Sequence, residues 1–306
     1  YNPAMQNILK KLDLIDYIDG FSKLLAREKS IILEGDINLH FKLINELSKF
    51  DIKAPNKIEN LDTPLMHIQK QGILRIDDIF EFIKIINYFR YLKRFSFDGK
   101  LAEWLDKIVI PNDIIKISDY FDDKANLKSG INEDFDNIKY AISKNKEAIK
   151  QSLYKTINSS KIRTYLVDSQ VHYINGEESL LVRGGFNHVL NGSVIDRSNS
   201  GFFYVIPHSI GELKQKQSDL KNKQEEILFK ICKEISSLFE KNLLFLKFLN
   251  KEFDRFDHYQ ARLFFAKIGD KNFILPSKND VNKLVDFCHP ALHNAKPISI
   301  DFTKSV

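Results

Sequence analysis

Between Thr164 and Pro207 a strand-rich island interrupts a chain whose apolar residues otherwise recur at helical spacing. The island reads TYLVDSQVHYINGEESLLVRGGFNHVLNGSVIDRSNSGFFYVIP. Two Asn-Gly dipeptides, Asn175-Gly176 and Asn191-Gly192, fall between alternating runs of Val, Ile, Leu, Phe and Tyr. Asn-Gly is the strongest short-range hairpin signal, because a type I′ turn needs positive φ at both central positions. Both dipeptides are expected to be hairpin turns of a small antiparallel sheet. A sheet spliced between two long helices cannot sit inside a compact helical bundle. It is expected at the tip of a helical stalk, with a surface free to hold something.

The flanks support a stalk. Ile131, Phe135, Ile138, Ile142, Ile149, Leu153 and Ile157 follow the narrow stripe of a coiled-coil seam, with Asn145 at one inward position. After the island, Leu213, Leu220 and Ile227 recur every seven residues, followed by Ile231, Ile235, Leu238, Phe245, Leu249 and Phe256. Gln217 and Gln224 occupy seam positions nearest the island. The simplest reading is an antiparallel helix pair capped by the island. A return helix of about 50 residues would run roughly 75 Å. Two separate coiled-coil partners in a dimer are the alternative.

The first 125 or so residues read as medium-length helices, clearest from Ile76 to Tyr91, where Asp77 and Asp78 suit the dipole at the start and Lys93-Arg94 at the end. Trp104 is expected to pack within this region rather than bind anything. After Gly269, the segments 273–275, 284–287 and 298–300 read as short strands separated by Pro276, Pro290 and Pro297. The fold class is therefore mainly α. A helical domain (1–130) precedes a first stalk helix (131–163), a β-rich tip (164–207), a return helix (208–268) and a short strand region (269–306). The scarcity of Gly (12) and Pro (8) in 306 residues favours this over a loop-rich or all-β fold.

Several chemistries lack their residues. Cys232 and Cys288 have no metal spacing, which excludes a disulfide framework and reads as a reduced, cytoplasmic protein. No run approaches the roughly 20 apolar residues of a membrane span. Tyr1 to Ala4 need not be native, since the chain opens on Tyr with Met5 soon after. Gly184-Gly185 lacks the Lys-Ser/Thr of a phosphate-cradling loop, and Thr303-Lys304-Ser305 lacks the preceding glycines. Cys288, His289 and His293 are close in sequence, but Pro290 breaks any helix that would set the two histidines on one face. Asp122-Asp123 and Glu133-Asp134 read as loop and helix-start carboxylates. His172, His188 and His208 have no evident nucleophile beside them. No catalytic residue, metal or cofactor is assigned to this chain.

Charge points instead to holding a polyanion. Residues 1–140 carry 21 Lys/Arg against 23 Asp/Glu, whereas residues 141–306 carry 25 against 18. Around the first stalk helix Lys139, Lys144, Lys146, Lys150, Lys155, Lys161 and Arg163 face Glu147 alone. The candidate contacts are Lys161, Arg163, Arg183, His188, Asn191, Arg197, Ser198, Asn199, Ser200, Lys214 and Lys216. Cations, hydroxyls and the amides of glycine-rich turns are the groups that meet phosphate oxygens without reading sequence.

The run from Asn175-Gly176 through Leu181-Val182-Arg183 to Gly192-Ser193-Val194-Ile195-Asp196-Arg197-Ser198-Asn199-Ser200-Gly201 and on to Pro207 resembles the clamp segment of the MutS superfamily. It is most similar to the second bacterial branch, which lacks the mismatch-recognition domain and is tied to suppressing recombination. Asp196, Ser198, Ser200, Gly201 and Pro207 keep that branch's pattern, while Ile195 stands for its usual His and Phe203 for its usual Thr. Phe264-Phe265-Ala266-Lys267 resembles the end of the family's return helix, and His289-Pro290-Ala291-Leu292 resembles the opening of its ATPase domain, with Cys288 in place of Arg.

The resemblance implies a core/lever domain, a clamp and the first strands of an ATPase domain, the chain stopping ahead of the Walker A loop. In the whole protein it implies ATP and Mg in the remainder, a C-terminal nuclease domain, and a homodimer whose clamps close on branched DNA. It also implies a second partner, since the branch is implicated in splitting collided ribosomes, where the clamp would meet ribosomal RNA. A purely structural coiled-coil module with a solvated basic stripe is the reading from a different class.

Overall fold

The computed structural model describes residues 3–271, 275, 283–292 and 294–303. In chain order, the helices are α1 (Pro3–Lys11), α2 (Ile15–Ser22), α3 (Ile37–Leu47), α4 (Asp62–Gln69), α5 (Ile76–Leu92), α6 (Gly99–Asp106), α7 (Asn112–Asp119), α8 (Glu133–Ile157) and α9 (Ser160–Arg163). Strands β1 (Leu166–Ile174), β2 (Glu177–Val182), β3 (Gly192–Arg197) and β4 (Phe203–Pro207) follow. Helices α10 (Gly211–Lys241) and α11 (Leu243–Ile268) and strands β5 (Lys283–Phe287) and β6 (Ile298–Asp301) complete the order. The protein is mainly α, with small antiparallel sheets. It divides into two compact units, residues 1–126 with 233–306, and residues 127–232.

In the first unit α5 is the centre. Ile79, Phe82, Ile83, Ile85, Ile86, Phe89 and Leu92 are all buried, so the helix is covered on most sides. Asp77 and Asp78 occupy its first turn and Arg90 its last, matching the dipole as expected. Helix α11 adds Leu246, Leu249, Phe253, Phe256 and Tyr259 to the same interior. Trp104 is buried too, stacked on Phe256 at 5.7 Å and donating its indole N–H to Glu252 at 2.5 Å.

This interior also holds ions. Asp257 is fully buried and accepts from the Ala26 amide at 2.8 Å and from Lys29 at 2.6 Å. Arg27 bridges Asp254 at 2.8 Å and donates to the Asn250 side chain at 2.8 Å. Every one of these charges faces an opposite partner, which is the condition for keeping charge inside. Strands β5 and β6 pair antiparallel where sequence placed two strands. Phe273, Ile274, Pro276, His293, Lys304 and Ser305 lie outside the described residues.

The second unit is built on α8. Asn132 caps it through its side-chain oxygen to the Phe135 amide at 2.8 Å, and Glu133, Asp134 and Asp136 fill its first turn. Its seam residues Phe135, Ile138, Ile142, Ile149, Leu153 and Ile157 are buried. The four-stranded sheet has the order β1-β2-β4-β3, all neighbours antiparallel. Leu180, Val182 and Val205 pack with Ile149, Leu153 and Ile157 and with Ile210 ahead of α10 in one core. Each such fully buried aliphatic side chain contributes about 1.5–3 kcal/mol. The cap on the stalk is thus lateral: the sheet lies along the last turns of α8 rather than standing beyond them.

Two expectations are corrected. Asn175-Gly176 is the β1–β2 turn, with φ of 52° and 80°. Asn191-Gly192 is not a hairpin turn, because β2 pairs with β4 and a longer connection, residues 183–191, crosses to β3. Gly192 begins β3, where a Cβ would stand 2.7 Å from the Ile206 carbonyl oxygen; glycine serves a close backbone approach there. The return helix is also not one rod. It breaks at Asn242, whose side-chain amide donates to the Leu238 carbonyl at 2.9 Å and competes with the backbone ladder.

Candidate nucleic-acid interface

Strand register sorts the candidate residues. Leu166 opens β1 opposite Val182, which closes β2; Val182 faces Phe203, which opens β4; Phe203 faces Arg197, which closes β3. One end of the sheet therefore carries the residues just before β1, just after β2 and between β3 and β4. Those are Arg163 and Lys161 on α9, Arg183, and the turn of Ser198, Asn199 and Ser200. The Arg183 amide donates to the Tyr165 carbonyl at 2.8 Å, which ties the first two segments together. Across four strands this edge is about 14 Å wide.

The turn is ordered by its own hydroxyl. Ser198 Oγ accepts from the Phe202 amide at 3.1 Å, and the Gly201 amide donates to the Ser198 carbonyl at 2.9 Å. Arg197 lays its guanidinium over the Phe203 ring at 4.7 Å, which fixes the fork while leaving its donors outward. Lys161, Arg163, Arg183 and Arg197 are exposed, and among the described residues none of the four is in an ion pair.

Other candidates fall elsewhere. The Asn191 carbonyl accepts from the His208 amide at 2.8 Å at the opposite end of the sheet, about 20 Å away along β2. Lys214 reaches that end too, but it is held by the carboxylates of Glu177 and Glu178. Burial alone would push Lys214 down, yet the two glutamates outweigh it and raise its pKa above the usual lysine range. Its charge is already neutralised within the protein. Lys216 is exposed on α10, and His188 is exposed at the end of a short 3-10 turn in the crossing connection. His172 packs edge-on against Tyr204 and sits 3.0 Å from both oxygens of Asp168, while its carbonyl accepts from the cross-strand Ser179 hydroxyl at 3.2 Å. Contrary to expectation, a serine hydroxyl also stands by His208, Ser193 Oγ being 3.4 Å from its Nε2.

A groove that the sequence reading did not anticipate runs between α8 and the edge strand β1. It encloses about 970 Å³ and is lined by Tyr140, Tyr154 and Tyr173, by Lys144, Lys146 and Lys150, and by Ser169 and Gln170. The lysines are legible in the sequence as a basic run; the tyrosines do not stand out in it. Their helical spacing, Tyr140, Lys144, Glu147, Lys150 and Tyr154 on one face, was the available signal.

Endonuclease MutS2 of Helicobacter pylori is 34% identical to this chain over 314 residues, taking in 100% of the chain and 41% of its own length. The chain belongs to the MutS family, on its MutS2-like branch. Endonuclease MutS2 of Borreliella burgdorferi is 27% identical over 178 residues, 58% of the chain, and that of Aquifex aeolicus 26% over 264 residues, 81% of the chain. The chain spans about two fifths of the length of the Helicobacter relative it matches. No family model matches it.

The ATP and Mg that the MutS resemblance implies for the whole protein find no cradle among the described residues. Gly185 leads into a three-residue 3-10 turn, not a helix N-terminus with a Lys-Ser/Thr pair. Among the described residues no cluster of three or more His, Cys, Asp or Glu could hold a metal ion. Cys288 and His289 make separate contacts, with the Ala295 carbonyl at 3.6 Å and the Leu12 carbonyl at 2.9 Å. Among the described residues no helix is long and apolar enough to cross a membrane.

Proposed function

We propose that the MutS2-like chain holds DNA by its phosphate backbone, using the sheet end that carries Lys161, Arg163, Arg183, Arg197 and the Ser198–Ser200 turn. The observation that carries this reading is the register, which sets Arg183, Arg197 and the Ser198–Ser200 turn at the sheet end that α9, with Lys161 and Arg163, leads into; among the described residues none of the four cations is in an ion pair. Such a set gives affinity and position without sequence readout, so binding should fall steeply with salt. Branched DNA is the preferred form, because a junction offers phosphates in more than one direction to a compact cationic edge. In the whole protein, dimerisation and ATP-driven closure would act on this clamp.

The test is an electrophoretic shift on a four-way junction and a linear duplex at several salt concentrations. The expected result is tighter junction binding, weakened at least tenfold when all four cations become Ala. Undiminished binding by that variant would sink the assignment. Ribosomal RNA offers the same phosphate chemistry, so purified ribosomes as competitor decide between the two targets. A purely structural module predicts no affinity for either.

A further inference from the structure

We infer that the groove between α8 and β1 is a stacking site for the unpaired bases of a DNA strand, separate from the cationic sheet end. The inference rests on the reading that this unit holds DNA, and it names which part of a branched DNA the groove would take.

Large aromatic side chains are normally buried for their apolar area. Here three tyrosines of one unit stand open: Tyr140 is 70% exposed, Tyr154 45% and Tyr173 71%. They are not scattered. All three line one groove, Tyr140 and Tyr154 from α8 and Tyr173 from the edge strand, although Tyr173 is distant from both in sequence.

The spacing suits a strand. Tyr140 and Tyr154 are fourteen residues apart on one helix, about 21 Å at 1.5 Å rise. That equals about six nucleotides at roughly 3.4 Å each. Lys144, Lys146 and Lys150 are exposed between them, with the Lys150 ammonium 6.0 Å from the Tyr154 ring centroid. Of the two acids in the lining, Glu178 is taken by Lys214, so the groove keeps a positive balance against Glu147. Alternating rings and cations along an open channel is how single strands are held without sequence preference: each base offers a π-face and each phosphate a charge. Duplex DNA cannot use the rings, since its bases are already stacked on one another. An acidic peptide could use the lysines, but it would leave the tyrosines without partners of matching flatness.

The experiment measures fluorescence anisotropy of five labelled probes with the 306-residue chain: twelve-residue oligo-dT, twelve-residue oligo-U, a twelve-base-pair duplex, a four-way junction and a twelve-residue acidic peptide. The variants are Tyr140→Ala, Tyr154→Ala and Tyr173→Ala, their Phe counterparts, and the four-cation variant described above. The expected result is that oligo-dT binding drops about tenfold for each Ala, a 1.4 kcal/mol effect by the usual conversion. It returns with Phe, which keeps the ring and loses the hydroxyl. Duplex binding stays unchanged by the tyrosine variants. Because the three side chains are exposed, thermal unfolding should not move, so a loss reports binding and not folding.

Oligo-dT binding that ignores all three Ala variants would overturn the inference, as would binding of an acidic peptide in the groove with no oligo-dT affinity. Junction binding that needs the four cations while oligo-dT fails to bind overturns the groove alone and leaves the clamp reading standing. Tyrosine-dependent oligo-dT binding with no junction affinity supports the groove and removes the clamp reading. Tighter binding of oligo-U than of oligo-dT would overturn the assignment to DNA.

Discussion

Both units are rich in cations, and they treat them oppositely. In the first unit Arg27 and Lys29 are drawn inside and matched by Asp254 and Asp257, with the Asn250 side chain taking another guanidinium donor. In the second, Lys161, Arg163, Arg183 and Arg197 stand outside, and none of them is in an ion pair among the described residues. A buried charge without a partner costs several kcal/mol, so the first set exists to be satisfied. An exposed cation costs little to leave open. The difference separates charges that hold the fold from charges left available for a ligand.

The comparison breaks first at Asp257. Asp257→Ala leaves the Ala26 amide and the Gln260 side chain without their acceptor and Lys29 with Asp254 alone, a loss of about 3 kcal/mol. A fall of about 10 °C in Tm is expected for a unit of this size. Trp104, the lone tryptophan, is buried in that unit, so its fluorescence reads the melt directly. The mirror experiment changes Lys161, Arg163, Arg183 and Arg197 to Ala. Affinity for junction DNA should drop, and the slope of log affinity against log salt should flatten by up to about 3.6 for four lost phosphate contacts. Stability should change by less than about 0.5 kcal/mol per site, checked by the same melts.

Acid should sharpen the contrast. Burial, then the neighbouring Arg262 and Lys29, push the His258 imidazole down to about 4. Its folded pKa lies below the unfolded value of about 6.5, so below pH 6.5 the unfolded chain takes up the proton first. The stability that neutral His258 confers is lost progressively as pH falls from 6.5 towards 4. Although burial raises it, Asp254 is held below the usual carboxylate range by Arg27 and Lys29. Its contribution is present above the unfolded carboxylate value and is lost as pH falls through the lower folded one. Trp104-detected melts between pH 7 and 4.5 should show Tm falling with pH.

A modest gain in stability is expected at Asn145. It is 4% exposed on the α8 seam, its amide donates to the Leu213 carbonyl at 2.9 Å, and its side-chain oxygen has no hydrogen-bond partner. Asn145→Leu should therefore stabilise the second unit by about 1 kcal/mol. Far-ultraviolet circular dichroism would register this as a rise of about 4–8 °C in that unit's Tm. A fall would mean that the single donated bond outweighs the orphaned oxygen.

Legibility followed the range of the interactions. Helix α5 and the stripe on α8 were readable because their periodicity is local, and Asn175-Gly176 because a type I′ turn is set by its own residues. Asn191-Gly192 misled because the same dipeptide can serve a close strand approach, which depends on Ile206, fourteen residues from Gly192. The break at Asn242 sits inside an unbroken apolar pattern, and only the direction of one side-chain amide reveals it. At the candidate interface, residue types were legible but their grouping was not. Register places Arg183 with Arg163 and Arg197, whereas Lys214 spends its charge on Glu177 and Glu178. The three tyrosines were unreadable as a set, since helix and edge strand meet only in the fold.

The discontinuity of the first unit has a consequence during synthesis. The second unit's sheet and the residues it packs against lie within one continuous stretch, so it can assemble soon after leaving the ribosome. Arg27 and Asp254 are separated by 227 residues, and at about 5–20 residues per second the acid emerges about 10–45 s after the arginine. For that interval the helices of the amino-terminal half wait with their ionic core open. A nascent chain paused once residues 127–232 have emerged would expose the unfinished half while carrying a finished clamp.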